Sequence, residues 1–196
     1  MNDVYNHGVD YTRNFLSGYS SSDIFISTSL SHESVLALSI LEEAGFKCDL
    51  YYVKTGLVDG DFNRNIDLVN DRFNHNLIIL DVEEKKNSFL KGRDFMSIDE
   101  SERRAICRLL KKDTLFDYVK KEKYSIWING VRRVETKSRQ SMKAISLSRG
   151  FIKFSPIFSL SDKDVYYILK SQSLGFLNRL HDRCKINSAN ECGLHL

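Results

Sequence analysis

Asp23-Ile24-Phe25-Ile26-Ser27-Thr28 is a short apolar run bounded by Ser-rich turn signals, and it reads as a buried strand. Ser29-Leu30-Ser31-His32 follows. Glu33 to Ala44 then sets Val35, Leu36, Leu38, Ile40 and Leu41 at mostly helical spacing, with Gly45 ending the helix. The alternation repeats downstream. Asp49 to Val53 is a second strand closed by Thr55-Gly56, and Ile66, Val69 and Phe73 mark a second helix. Leu77 to Leu80 is a third strand, Glu102 to Lys121 a helix, Tyr124 to Ile128 a fourth strand and Phe151 to Phe154 a fifth. Ser161-Asp162-Lys163-Asp164 opens a last helix with Ser161 as its N-cap. Glu83 to Glu100 is charged and weakly patterned, and reads as a surface connection. Strands alternating with helices predict an α/β fold: three α/β/α layers around a mostly parallel five-stranded sheet.

In such sheets ligands sit at the carboxyl ends of the strands, near the point where strand order reverses. The loops Thr28–Ser34, Val53–Asp61 and Asn129–Arg139 are therefore where a site is expected. Composition narrows what it could be. A chain of 196 residues suits one buried domain, and a net charge of +3 does not suggest a general polyanion binder, so nucleic acid is not an expected partner. Met1 to Thr12 is polar, without the apolar run of a signal peptide, and Val35 to Leu41 is too short to cross a bilayer. No membrane partner is expected. Cys48, Cys107, Cys184 and Cys192 have no framework spacing, which fits reduced thiols in a cytoplasmic protein.

Three constellations could carry chemistry. Ser27, Ser29, Ser31 and Ser34 cluster between a strand and a helix N-terminus, where hydroxyls and backbone N–H groups can bind an anion; an ordinary Ser-rich turn gives the same pattern. Gly130-Val131-Arg132-Arg133, continuing to Lys137-Ser138-Arg139, places four cations directly after the fourth strand. Guanidinium forks match phosphate and sulfate oxygens, although a solvated basic loop is the commoner meaning of a charge run. The end of the chain, Asn190 to Leu196, holds Cys192 beside glycine, with His195 close by. A metal centre is not expected: there is no C-x-x-C pair and no H-x-x-x-H, and His181-Asp182 near Cys184 reads as a polar helix-end cluster.

Together these segments resemble the phosphoadenosine phosphosulfate (PAPS) reductase family of adenine-nucleotide α-hydrolase-like folds. The most specific matches are Glu191-Cys192-Gly193-Leu194-His195, similar to the family's catalytic tail, and Gly130-x-Arg132-Arg133-x-x-x-x-Ser138-Arg139. Arg149-Gly150-x-x-Lys153-x-x-Pro156 follows at the family's distance, and Ser29 to Ser34 is similar to its PP-loop. Thr55-Gly56, Arg64, Ile66-Asp67 and Asn178-x-Leu180-His181-Asp182 continue the likeness from about Asp23 to Leu196. It implies one nucleotide-binding domain over residues 1–180 and a catalytic tail over 181–196.

The resemblance also implies a reaction. Cys192 would attack the sulfur of PAPS, leaving an S-sulfocysteine, and a thioredoxin or glutaredoxin thiol would release sulfite. The substrate grip implied is Ser27, Ser29, Ser31, Ser34, Thr55, Gly56, Lys111, Gly130, Arg132, Arg133, Ser138, Arg139 and His195. A homodimer is compatible with it. Relatives acting on adenylyl sulfate (APS) hold a four-iron, four-sulfur cluster on a Cys-Cys pair and a C-x-x-C. Here Ile106 stands beside Cys107 and the C-x-x-C is missing, so no cofactor is expected. Leu30 and Ser31 replace loop glycines, and Asp182 is followed by Glu191 after eight residues, where the family carries a longer lid. An ATP pyrophosphatase or sulfurtransferase of the PP-loop type, and a non-catalytic nucleotide-binding relative, are the alternatives.

Overall fold

The computed structural model describes residues 2–175, 177, 178 and 180–184. In chain order these form α1 (Asn2–Leu16), β1 (Ile24–Thr28), α2 (His32–Glu43), β2 (Asp49–Lys54), β3 (Val58–Asp59), α3 (Phe62–Arg72), β4 (Asn76–Asp81) and α4 (Glu83–Leu90). Next come α5 (Glu100–Arg108), α6 (Thr114–Val119), β5 (Ile126–Ile128), β6 (Ile145–Ser148), β7 (Phe151–Phe154), α7 (Asp162–Ser171) and β8 (His181–Asp182). The main sheet has six strands in the order β4-β2-β1-β5-β7-β6. All its pairings are parallel except β6 with β7, and β3 pairs separately with β8, antiparallel.

The α/β expectation holds, with one strand more than the five predicted. The additional strand is β6. Ile145-Ser146-Leu147-Ser148 lies at the sheet edge, with Leu147 78% exposed, so its composition lacks the apolar run that marks a central strand. It turns into β7 through Arg149-Gly150, both at positive φ (53° and 91°), the geometry that tight two-residue hairpins require. A second correction concerns Glu83 to Glu100, which is not a bare connection. It starts with α4, and Leu90, Phe95 and Ile98 are buried anchors spaced among charges. The helix expected over Glu102 to Lys121 is interrupted: Leu109–Asp113 forms a π-helical turn between α5 and α6.

Strand alternation divides the interior into two cores. Ile24, Ile26, Leu50, Tyr52, Ile126 and Ile128 pack with α1, α2, α3 and α7 on one face. Phe25, Tyr51, Val53 and Trp127 pack with α4, α5 and α6 on the other. All five residues of β1 are buried, as a central parallel strand covered on both faces must be. Ser161 caps α7 as expected: its Oγ accepts from the Asp164 N–H at 3.2 Å, and the Asp164 carboxylate accepts from the Ser161 N–H at 2.9 Å. No helix among the described residues is long and apolar enough to cross a membrane.

At the amino ends of the strands, the Cys48 N–H donates to His75 Nδ1 at 3.2 Å, and the His75 Nε2 is buried without a partner among the described residues. Burial holds the imidazole pKa below its ordinary 6.5. The unfolded chain therefore binds the proton more readily than the folded one, and stability is lost as pH falls below about 6.5. The drop in Tm between pH 7 and pH 5 should accordingly be shallower in His75→Gln than in the parent protein; equal slopes in thermal melts would refute the assignment.

Candidate functional site

The strand order reverses between β1 and β5, and the loops leaving these two strands form the centre of the site. The β1–α2 loop builds itself from its own hydroxyls. Thr28 Oγ1 accepts from the Leu30 N–H at 2.9 Å and donates to Ser34 Oγ at 2.9 Å. Ser34 Oγ accepts from the Ser31 N–H at 3.1 Å and donates to the Ser31 carbonyl at 2.9 Å. Ser34 thus belongs to the scaffold of the loop. Ser29, which is exposed, donates to Ser31 Oγ at 3.1 Å, so these two hydroxyls form the loop's outer rim. Leu30 stands in the left-handed region, at φ 55°, with its side chain fully buried. A non-glycine residue there is disfavoured by about 1–2 kcal/mol, which burial of a leucine side chain, worth about 1.5–3 kcal/mol, offsets. The loop therefore keeps a backbone turn that the absence of glycine had put in question.

Gly130 explains how the second loop reaches the first. A Cβ at this position would lie 2.9 Å from the Glu33 carbonyl group and from Ser34 Cα. Only a glycine lets the chain leaving β5 lie directly on the first turn of α2. That turn presents the amides of His32 and Glu33, which have no intrahelical acceptor, beside the Ser29 and Ser31 hydroxyls. Such a helix start can bind an oxyanion.

The basic loop is less open than its sequence suggests. Arg132 is 5% exposed and lies between carboxylates: Asp162 at 2.8 Å, Glu33 at 3.5 Å and Glu135 at 3.9 Å. It ties the loop to α2 and to the start of α7. Arg139 is 6% exposed and ion-paired with Glu135, four residues before it in sequence. Arg133 is exposed, and its backbone N–H donates to the Phe158 carbonyl at 2.8 Å. Ser138, also exposed, lies 3.1 Å from Thr136 Oγ1.

A third group gathers beyond the end of β2. Thr55 is fully buried, with its Oγ1 accepting from the Leu57 N–H at 3.1 Å, and Gly56 lies against the Lys86 and Glu83 side chains of α4. The π turn directs Lys111 inward to an ion pair with Asp182 on β8, both side chains largely buried. β8 is held in turn by β3 and by the Arg183 fork on Asp59, with both bonds at 2.8 Å. Cys184 hydrogen-bonds Cys107, and this contact with burial raises its thiol pKa. Ser27 sits behind the site, its Oγ accepting from the Trp127 indole N–H at 2.8 Å. Cys192 and His195 lie outside the described residues. Sequence reasoning quoted Asp162 and Asp182 but did not foresee that they and Glu135 are the counter-ions of the site's cations. Of these, Glu135 alone was close in sequence to a cation already singled out.

The architecture is that of an adenine-nucleotide α-hydrolase-type fold with a serine-rich loop and a helix start at its switch point. Residues 23–184 match the phosphoadenosine phosphosulfate reductase domain, and the chain belongs to that family. A curated phosphoadenosine 5′-phosphosulfate reductase from Aliivibrio fischeri (strain MJ11) is 25% identical over 157 residues, 77% of this chain and 60% of that protein. The chain thus spans about 60% of the length of such relatives. Among solved structures, the PAPS reductase from Candida auris in a phosphate complex superposes with a TM-score of 0.62 at 17% identity, covering 84% of this chain and 85% of that one. The NMN synthetase from Francisella tularensis gives 0.64 at 15% identity, covering 88% and 70%. At these identities the likeness to solved structures concerns the fold.

Gly130→Ala and Arg132→Met test the centre of the site together. The clash at Gly130 should lower stability by about 1–3 kcal/mol, the range for overpacking. Arg132→Met should cost a similar amount, about 1–3 kcal/mol, because its partner Asp162 is 87% exposed and the pair falls between the surface and buried limits. Denaturant melts of both variants check this; either one matching the parent protein would remove that contact from the scaffold.

Proposed function

We propose that this chain is a thiol-dependent PAPS reductase acting through Cys192. Family membership supports the reading, and the observation that carries it is the Gly130 loop seated on the first turn of α2, where hydroxyls and helix amides can receive an oxyanion. In the first step the Cys192 thiolate attacks the sulfur of PAPS. The bond between sulfur and the bridging oxygen breaks, and adenosine 3′,5′-bisphosphate leaves with that electron pair. In the second, a thiolate of thioredoxin or glutaredoxin attacks Cys192 Sγ and displaces sulfite. The reductant's second thiol then resolves the mixed disulfide, so its dithiol supplies both electrons. Sulfate assimilation in the cytoplasm is the setting this chemistry fits.

The proposal gives individual residues these roles. Ser29, Ser31 and the first amides of α2 would hold a phosphate of the nucleotide. Lys111 would exchange its Asp182 carboxylate for the anionic sulfonate as substrate enters, concentrating positive charge where the leaving group develops negative charge. Arg139 and Arg133 would complete the anionic cradle, with Arg139 released in part from Glu135.

Intact-mass measurement of reduced protein mixed with PAPS should show addition of one sulfonate group, absent in Cys192→Ser. Pyrophosphate release from ATP with no sulfonation would instead favour a PP-loop pyrophosphatase. Labelling that persists in Cys192→Ser would reject the nucleophile.

The cluster-free branch is part of the same proposal. Cys107 and Cys184 are in contact, whereas Cys48 lies at the amino end of β2 beside His75, leaving the described thiols short of a four-thiolate set. Protein purified anaerobically should contain no stoichiometric iron or sulfide and should turn over PAPS in preference to APS. A bound cluster or a preference for APS would overturn this part.

A further inference from the structure

A pocket of about 390 Å³ opens on the α4–α6 face of the sheet, over β5, β7 and β6. None of its lining residues belongs to the nucleotide grip described above. Trp127, Lys153 and Ser146 form one cross-strand row along its floor. The Lys153 ammonium lies 5.2 Å from the Trp127 ring centroid, and Lys112, the residue after Lys111 on the π turn, supplies a wall. Lys143 lines it as well, and no carboxylate does among the described residues.

Asn129 is the second, independent sign. It is fully buried at the end of β5 and lines the same pocket. Its Oδ1 accepts from the Val131 N–H at 3.1 Å, which assigns the other terminal atom as nitrogen. That Nδ2 has no hydrogen-bond partner among the described residues. A buried donor without an acceptor is destabilising, and native structures seldom leave one unless something else supplies the acceptor.

We propose that this pocket binds a tetrahedral oxyanion, phosphate or sulfate, with Lys153 and Lys112 providing the charge and the Asn129 carboxamide a neutral donor. The electrostatics agree. Burial, then Lys112 and Arg139, bring the Lys153 pKa down to about 8. Among the described residues the nearby carboxylates have partners of their own, Asp113 with Arg149 at 2.7 Å and Glu135 with Arg139. An anion in the pocket would relieve the repulsion among these cations and raise the Lys153 pKa. The site stands whether or not the cleft takes a sulfonucleotide. Its anion could be free in solution or be one group of a longer ligand.

Side-chain NMR of lysine-labelled full-length protein, paired with calorimetric titration, tests this with three probes: inorganic phosphate, inorganic sulfate and adenosine 3′,5′-bisphosphate. A bound anion should raise the Lys153 pKa by about one unit or more, and affinity should decline as pH rises above 8, where the free lysine loses its proton. Lys153→Gln should weaken binding about 10- to 100-fold, the range for hydrogen bonds to charged groups. Lys153→Arg should retain binding and lose the decline above pH 8, because guanidinium stays protonated. Asn129→Asp keeps the acceptor for Val131 but replaces the donor, and should weaken binding as well. Response to the inorganic ions identifies a free-anion site. Response to the bisphosphate alone, abolished in Lys153→Gln, identifies the phosphate of a nucleotide. If no probe moves the Lys153 resonance, or if folded Lys153→Gln binds as tightly as the parent protein, the proposal fails.

Discussion

The contact between the Gly130 backbone and the first turn of α2 is the constraint on which the rest of the site depends. β1 and β5 are adjacent and parallel; β1 runs into α2, and β5 into the loop that begins at Asn129 and leads on to β6. The absence of a side chain at Gly130 lets the second loop lie directly on the start of α2. The consequences follow in order. Arg132, two residues on, is carried to the end of α2, where Glu33 and Asp162 can both reach it. A backbone contact of this kind also resists drift, since neither partner has a rotamer to change.

The cations of the site separate by whether a carboxylate already answers them. Arg132, Arg139 and Lys111 are each paired and nearly buried, by Asp162 and Glu33, by Glu135 and by Asp182. Paired cations of this sort organise loops, and a ligand gains from them only what remains after a carboxylate is displaced. Lys153 is different: among the described residues the charges that act on it are those of Lys112 and Arg139, and its ammonium lies over the face of Trp127. Counting basic residues along the chain puts weight on the Arg132–Arg139 run. Counting uncompensated charge in space moves it toward Lys153.

How much of this was legible follows from the range of the interactions. The strands β1, β2, β4, β5 and β7 and the helices α2, α3 and α7 were readable because their patterns are local, and so was the Ser161 cap. The helix α1 and the edge strand β6 were not, because α1 is polar on its outer side and β6 has an exposed Leu147 between serines. Among site features, the Ser29–Ser34 loop and the Gly130 loop were legible from position alone. Their chemistry was less so. The Trp127–Ser27 hydrogen bond joins residues 100 apart and the Lys111–Asp182 pair joins residues 71 apart, and no local pattern encodes such partnerships. Nor could the sequence tell that Leu30 would adopt a left-handed conformation, since that depends on a core pocket for its side chain.

The same long-range contacts bear on the role proposed for Cys192, eight residues beyond Cys184 in sequence. Cys184 is fixed against Cys107, β8 is clipped to β3, and Arg183 forks onto Asp59, so the chain is anchored at its 181–184 segment close to Lys111. Eight residues span at most about 26–29 Å when extended. Under the proposal, a thiol eight residues on must act within that reach of the anchor. A short tether raises the effective concentration of a thiol over that of a free one. Loosening the anchor would then change the proposed reaction without altering the thiol itself, so the Lys111–Asp182 pair and the Arg183–Asp59 fork enter the same proposal.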